Sequence, residues 1–382
     1  SHIHSVPLSL YIHIPFCVRK CPYCDFYSVA GFPVEESRYI AALIQEVSHY
    51  RTVLHEDHRP LSSLFLGGGT PSLLKGETIQ TLLDGIRDHW NLTDDCEITL
   101  EANPESCIEH KPESWHRAGV NRVSLGVQAV DNTRLKLLQR PHDAKTACKA
   151  WKQLKGFERI SLDLIYGTPG QRILDWQREL ETVLNWGVNH LSCYALTLER
   201  DTPFYQSWMR GELRLPDEED EMNFFLATRE WLAKQGLEGY EISNFARLQQ
   251  ECRHNVNYWE FGDYLGIGAA AHGKWTNLNG EIWRTENPRD WSEYLSMVEQ
   301  GSSARRVSAA EAGSECMLMG LRMQRGMSRA RYQEITGEDL MVTHASEINL
   351  LMTKGLLSVD AKRIRLTDAG MLLGDSVMME LL

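Results

Sequence analysis

Cys17, Cys21 and Cys24 stand in the segment Tyr11-Ile-His-Ile-Pro-Phe-Cys17-Val-Arg-Lys-Cys21-Pro-Tyr-Cys24, a C-x3-C-x2-C spacing with no fourth cysteine nearby. Iron–sulfur clusters are held by cysteine thiolates. A [4Fe–4S] cube has four iron corners, so three thiolates on one short loop leave the fourth open to another ligand. An open iron is a place for chemistry, whereas a closed four-cysteine cage mainly passes electrons. A structural zinc site is the competing reading, but zinc ordinarily takes four ligands, often as two C-x2-C pairs. Here Cys96, Cys107, Cys148, Cys193, Cys252 and Cys316 each stand apart. A disulfide with one spare thiol is the other alternative. Nothing at the start of the chain resembles a secretory leader, and cytosolic thiols stay reduced.

Other chemistry-bearing residues recur at the ends of apolar runs. Gly67, Gly68 and Gly69 follow Leu-Phe-Leu, where absent side chains let a ligand approach the backbone. A tight strand-to-helix turn explains the same triplet. Glu101 and Asp163 also end apolar runs. Acids there either cap the next helix or accept ribose hydroxyls. Gln128 and Arg140 are weaker candidates, since an exposed arginine is most often a solvated surface charge.

The elements that would position these groups are legible. Six β-type runs occur at Leu8–Ile14, Ser63–Leu66, Glu97–Glu101, Arg122–Val127, Arg159–Ile165 and His190–Leu198. Between them lie helical periods, as in Ile40, Leu43, Ile44 and Val47, or Leu82, Leu83 and Ile86. Strands alternating with helices predict a parallel sheet wound by right-handed crossovers. Six units are too few for an eight-stranded barrel. The fold predicted is therefore α/β, an open (βα)6 partial TIM-type barrel with ligands at the carboxyl ends of its strands. Every suggestive cluster sits at that end of its run.

After about residue 200 the alternation stops. The acidic stretch Pro216–Glu221 reads as the first turn of a helix to about Leu232, where acids suit the helix dipole. The tail predicts helices at Glu311–Met323, Ser328–Thr336 and His344–Lys354, then a β-hairpin, which is a winged-helix-like α+β domain. The expected division is 1–7 tail, 8–240 core, 241–300 connecting region and 301–382 C-terminal domain.

Of the 382 residues, 42% are hydrophobic and 24% charged, ordinary for a globular protein, and the net charge is −12. That balance argues against nucleic acid as a partner, because phosphate contacts need a basic surface. No apolar run approaches the ~20 residues that span a bilayer. Cytoplasm is the expected address.

The chain resembles the oxygen-independent coproporphyrinogen oxidase-like group of radical SAM proteins. The likeness runs through the cysteine loop, Gly67-Gly-Gly-Thr-Pro-Ser-Leu-Leu74, Glu101-Ala-Asn-Pro104, Gly119–Gln128 and Asp163-Leu-Ile-Tyr-Gly167. It continues through His254-Asn-Val-Asn-Tyr-Trp259 and Gly266–Gly273. The resemblance implies that Cys17, Cys21 and Cys24 bind the cluster and that S-adenosylmethionine (SAM) chelates the open iron. Tyr11, Gly68 and Glu101 match positions contacting that SAM. Tyr23, Gly69, Thr70, Gln128, Arg140, Asp163 and Ala195 match positions around a second SAM in the oxidases, and here they line one site or two. His272 matches a SAM-adjacent position.

Two departures separate the chain from the true oxidases. Phe26 stands where they place a further cysteine, and the lead before the first strand is short. The haem-chaperone branch of the group lacks both features and carries the H-N-x-x-Y-W stretch. The resemblance therefore implies haem as a third cofactor and an apo-haemoprotein, such as a respiratory enzyme, as partner. Peripheral membrane contact would come through that acceptor, and monomer or dimer stays open. His254, Tyr258 and Trp259 offer haem a ligand and flat walls, though a histidine among aromatics is more often structural. The alternative function is an oxygen-independent coproporphyrinogen III dehydrogenase.

Overall fold

The computed structural model describes residues 6–17, 29–30, 36–198, 200 and 202–382. Six parallel strands appear where the sequence predicts them: Leu8–Ile14 (β1), Leu61–Gly68 (β2), Leu92–Ala102 (β3), Arg122–Gln128 (β4), Arg159–Tyr166 (β5) and His190–Ala195 (β6). Helices Glu36–Val53 (α1), Gly76–His89 (α2), Pro104–Glu109 (α3), Pro112–Ala118 (α4), Asn132–Leu137 (α5), Ala144–Gln153 (α6) and Ile173–Trp186 (α7) connect them. Side chains set several helix starts: Asp131 accepts from the Arg134 N–H and Asp143 from the Thr146 N–H, each satisfying an orphan donor of the first turn.

Residues 238–307, which include the region 241–300 expected as a connection, supply both edges of the sheet. Glu238–Gly239 (β7) and Asn244–Ala246 (β8) close the β6 edge antiparallel. Asp263–Ile267 (β9) pairs parallel with β1, Leu8 opposite Asp263, so a seventh parallel strand is added. His272–Thr276 (β10), Ile282–Glu286 (β11) and Arg305–Val307 (β12) extend that edge antiparallel. The full order is β12-β11-β10-β9-β1-β2-β3-β4-β5-β6-β8-β7, an open curved sheet with no exposed parallel edge.

Strand alternation sorts the two faces. Leu8, Leu10, Ile12 and Ile14 of β1 are fully buried and join Tyr39, Ile40, Leu43 and Val47 of α1 in the main core. The other face carries Ser9, Tyr11 and His13 on β1; Ser63, Phe65 and Gly67 on β2; Glu97, Thr99 and Glu101 on β3. It continues with Arg122 and Ser124 on β4, Ser161 and Asp163 on β5, and His190, Ser192 and Tyr194 on β6. This inner face is polar from edge to edge.

Past Pro203–Met209 (α8) and Glu218–Lys234 (α9), Arg253–Trp259 (α10) enters the inner face near the amino ends of the strands. The C-terminal unit has helices Ala309–Gly320, Arg329–Thr336, Leu340–Thr343 and Ala345–Thr353. The hairpin of Leu357–Val359 and Arg363–Leu366 follows them as predicted, while a third strand, Met327–Ser328, and the closing helices Asp368–Leu372 and Gly374–Leu381 are additions to the predicted order.

Candidate cofactor site at the carboxyl ends of the strands

The glycine turn after β2 is folded against β1. The Gly69 N–H donates to the Ile14 carbonyl at 2.8 Å and the Thr70 N–H to the Phe16 carbonyl at 2.5 Å. A Cβ on Gly69 would stand 2.4 Å from the Phe16 oxygen, and Gly68 has a φ of +118°. These glycines are therefore required by the chain's own backbone at the base of the cysteine loop. Phe16–Cys17 pairs parallel with Val29–Ala30, bringing the two ends of that loop together. Cys21, Tyr23 and Cys24 lie outside the described residues.

Glu101 faces this turn. It accepts the Gly68 N–H at 3.3 Å, and a Cβ on Gly67 would lie 3.0 Å from its Oε1. Burial, and then the charge of Asp163, push its carboxyl up to about 8. Burial pushes Asp163 up to about 6, against the pull of Arg122 and the Ser124 and Ser192 hydroxyls. Neither carboxylate forms a salt bridge among the described residues. Tyr11 lies alongside, its Oη 2.9 Å from His13 Nδ1, its own pKa raised by burial and Glu101. Tyr194 ends β6 with 41% of its surface exposed, its pKa raised by burial, then Asp163.

A second group ties neighbouring strand ends together. Asn103 Nδ2 donates to Thr70 Oγ1 at 3.0 Å, and an Arg140 guanidinium nitrogen donates to Asn103 Oδ1 at 3.2 Å. Gln128 has a left-handed φ of 69°. An ideal Cβ on Gly126 would fall 3.1 Å from both Gln128 Nε2 and Asn103 Oδ1. His142 fastens this corner, with Nδ1 2.8 Å from Glu105 Oε1 and Nε2 2.8 Å from the Val127 carbonyl. Ala195 is exposed at the end of β6. His272, also exposed, sits opposite Glu286 at the start of β10.

The structure thus brings Tyr11, Gly68, Glu101, Asp163 and, beside them, Thr70, Gln128 and Arg140 to one end of the sheet. His13, Phe65, Asn103, Ser124, Ser192 and Tyr194 were not anticipated. The signal was available: polar or aromatic residues at every second position of otherwise apolar strands mark the inner face.

The H-N-x-x-Y-W stretch lies at the opposite end of the sheet, near the amino ends of its strands. His254 is fully buried. Its Nδ1 is 2.8 Å from Ser63 Oγ and its Nε2 2.7 Å from Tyr258 Oη. Ser63 donates onward to Ser9, so His254 Nδ1–H donates to Ser63 and Nε2 accepts the Tyr258 hydroxyl. Burial holds the imidazole at about 4, hence neutral. Both ring nitrogens are hydrogen-bonded within the chain. The ring instead stacks on Phe65, centroids 5.2 Å apart, and Phe65 stacks on Tyr11 at 6.3 Å. Trp259 lies under the Arg322 guanidinium, 4.6 Å from the ring centre. Below His254, the backbone N–H groups of Arg253 and His254 donate to buried Glu97, which also pairs with Arg159 at 2.7 Å. Despite burial, these donors with Arg122 hold Glu97 down at about 2.

An open parallel sheet with its polar groups at the carboxyl ends matches the Radical SAM superfamily over residues 11–183, and the HemN C-terminal domain matches over 307–373. The molecule is a radical SAM protein with a HemN-type C-terminal domain. The coproporphyrinogen III oxidase (HemN) of Escherichia coli superposes with a TM-score of 0.80, covering 98% of this chain and 90% of that one, at 24% identity. Heme chaperone HemW of Escherichia coli K12 is 38% identical over 97% of both chains, and that of Bacillus subtilis 36% over 97% of both. The mitochondrial radical S-adenosyl methionine domain-containing protein 1 of Bos taurus is 33% identical over 98% of this chain and 87% of its own. The chain belongs to the HemW family.

A [4Fe–4S] cluster and SAM are the cofactors of this superfamily, and the residues present fit them. Ile14 and Phe16, which lead into the cysteine segment, are held against the glycine turn. Two half-buried carboxyls, Glu101 and Asp163, form no salt bridge among the described residues and lie at the same end of the sheet, where they can take hydroxyl or ammonium donors.

Proposed function

We propose that the protein is a haem chaperone that holds a [4Fe–4S] cluster and SAM at the carboxyl ends of its sheet, binds haem, and passes it to an apo-haemoprotein. The observation carrying this reading is the 38% identity to a curated haem chaperone across 97% of both chains. Phe26, where the oxidases place a further cysteine, supports it. The likeness to the oxidase, at 24% identity, speaks to fold and leaves the dehydrogenase alternative without support of its own.

In this reading Cys17, Cys21 and Cys24 carry the cluster. When bound, cluster and SAM supply one-electron chemistry at the sulfonium. The chain's own groups bind and orient. Tyr11 and Gly68 form the wall beside the cysteine loop, and Glu101 and Asp163 accept hydroxyl donors. The Thr70–Asn103–Arg140 chain holds the neighbouring edge, with Gly69, Gln128, Ala195 and His272 assigned to the same site, to which the resemblance also assigns Tyr23. The acceptor is an apo-haemoprotein such as a respiratory enzyme, with any membrane contact made through it. Among the described residues no helix is long and apolar enough to cross a membrane.

The test is anaerobic. Reconstituted protein with SAM and reductant is offered haem or coproporphyrinogen III in parallel. A stoichiometric Soret change followed by transfer to an apo-haemoprotein is expected. Multiple-turnover formation of protoporphyrinogen overturns the reading.

A further inference from the structure

Glu46 lies in the middle of α1, 2% exposed, with no cation among the groups that set its charge. A buried carboxyl is costly unless donors satisfy it. Here three do. Oε1 accepts the Gly268 N–H at 2.8 Å and the Tyr294 hydroxyl at 2.7 Å, and Oε2 accepts from Asn287 Nδ2 at 2.8 Å. The same nitrogen of Asn287 donates to the Gly268 carbonyl at 2.8 Å. Burial nonetheless pushes the carboxyl up to about 7. An apolar side chain of similar volume would fill a core at lower cost, so the carboxyl is explained by what it holds.

It holds the turn between β9 and β10. Gly266 and Ile267 end β9 opposite Tyr11 and Ile12 of β1. Gly268 follows with a φ of +103°, and a Cβ there would stand 2.6 Å from the His13 carbonyl oxygen. Tyr39, two helical turns before Glu46 and therefore on the same face of α1, completes the grip. Its hydroxyl donates to the His13 carbonyl at 2.5 Å and accepts the Ala269 N–H at 3.0 Å. Its ring packs edge-on against Phe16, the residue before Cys17, with centroids 5.5 Å apart. The His13 ring in turn bonds Tyr11 and stands 2.8 Å from an ideal Cβ on Gly68. One face of α1 thus fastens the end of β1, the start of the cysteine segment and the turn that leads into His272.

We propose that Glu46 and Tyr39 are positioning residues for SAM: they set the Gly268–Ala271 turn against the end of β1, so that Tyr11, His13 and His272 stand at fixed distances around the cofactor. Both side chains are buried, so each acts through the turn and not by touching the ligand. This rests on the placement of SAM at the carboxyl ends of the strands and adds the residues that hold one side of that site.

The full chain and its Glu46→Gln, Tyr39→Phe and Tyr50→Phe variants are reconstituted anaerobically. Iron and sulfide content, thermal unfolding, and hydrogen exchange across 263–272 are measured for each. SAM is then titrated against the electron paramagnetic resonance signal of the reduced cluster. Tyr50→Phe is the control: it removes a buried hydroxyl from the same helix, one that donates to Thr285 Oγ1 at 3.3 Å and not to the turn. Glu46→Gln and Tyr39→Phe are expected to keep the natural cluster content and to exchange faster across the turn. Each should need about tenfold more SAM for half the spectral change, the scale of one hydrogen bond to a charged group. Tyr50→Phe should unfold at lower temperature and bind SAM as the natural chain does. Natural SAM affinity in both turn variants, or an equal loss in Tyr50→Phe, overturns the proposal while the SAM site stands. Cluster lost together with SAM affinity in both turn variants assigns the two residues to the fold alone and overturns it as well. A natural chain whose cluster signal SAM leaves unchanged overturns the cofactor placement and this inference with it.

Discussion

Glu101 is a carboxyl held in the wrong charge state for its surroundings. With a pKa near 8 it keeps its proton at neutral pH, because burial and Asp163 penalise the anion while a single backbone N–H supports it. A ligand bringing a cation and hydroxyl donors favours the anion and lowers that pKa. SAM binding at pH 7.5 should therefore release protons, detectable by calorimetry in buffers of different ionisation enthalpy. Glu101→Gln should abolish the release and weaken SAM binding about tenfold, the worth of one charge-assisted hydrogen bond. Release unchanged in that variant assigns the proton elsewhere. The same group bears on stability without ligand. Glu101 near 8 and Glu46 near 7 bind protons in the folded chain that the unfolded chain has already lost, so stability falls as pH rises through that range. His254 and His190, lowered by burial, act oppositely, but only below their unfolded value near 6.5. Thermal stability should accordingly decline from pH 6.5 to 8 in the chain without SAM. A flat or rising profile across that interval contradicts the assignment.

At the scale of elements, the glycine turn and the cysteine loop are one construction. Gly69 touches the Phe16 carbonyl at a distance no Cβ tolerates, and the obstacle is backbone rather than a side chain that could swing away. Gly69→Ala should push the Phe16–Cys17 strand off its partner and leave the chain folded but with less than about a tenth of the natural iron and sulfide after reconstitution. Gly156, with nothing within 4 Å of its ideal Cβ, provides the control. Full cluster content in Gly69→Ala would separate turn from loop. Strands β1 to β6 were legible because each is an apolar run bounded by turn residues, and their ligand ends because each lies next to its strand in sequence. β9 was not. Asp-Tyr-Leu-Gly-Ile is short and interrupted by glycine, and its partner Leu8 is far away along the chain. The ties Thr70–Asn103–Arg140 and His142–Val127 escaped for the same reason, since they exist only once neighbouring strands pair. The partners of His254, Ser63 and Tyr258, were equally out of reach, because they meet its ring only once β2 and α10 pack together.

At the scale of the molecule, the C-terminal unit is built into the sheet rather than hung from it. Its apolar core takes in Phe261, from the turn before β9, and Ile282 of β11. Phe261 has a left-handed φ of 56°, and its carbonyl accepts Lys274 Nζ at 3.0 Å and an Arg331 guanidinium nitrogen at 2.8 Å. Lys274 is itself buried against Asp263, so one residue joins a sheet strand, a buried cation and a helix of the C-terminal unit. Arg322 pairs with Glu241 at 3.2 Å while covering Trp259, and Arg363 pairs with Glu260 at 3.3 Å. Helix α10 is thus clamped between the inner face of the sheet and the C-terminal unit. The Arg363–Glu260 pair is partly solvated and contributes little, and the Arg322–Glu241 pair sets its attraction against the desolvation of a fully buried Glu241, so the apolar node should dominate. Phe261→Ala is expected to cost about 3–5 kcal/mol, the usual loss for a buried phenylalanine. Because the node is shared, the natural chain should unfold in one calorimetric transition, and the variant in one transition at lower temperature. If the variant instead melts in two steps, the upper one at the natural temperature, the C-terminal unit folds on its own and cannot be what holds α10 in place.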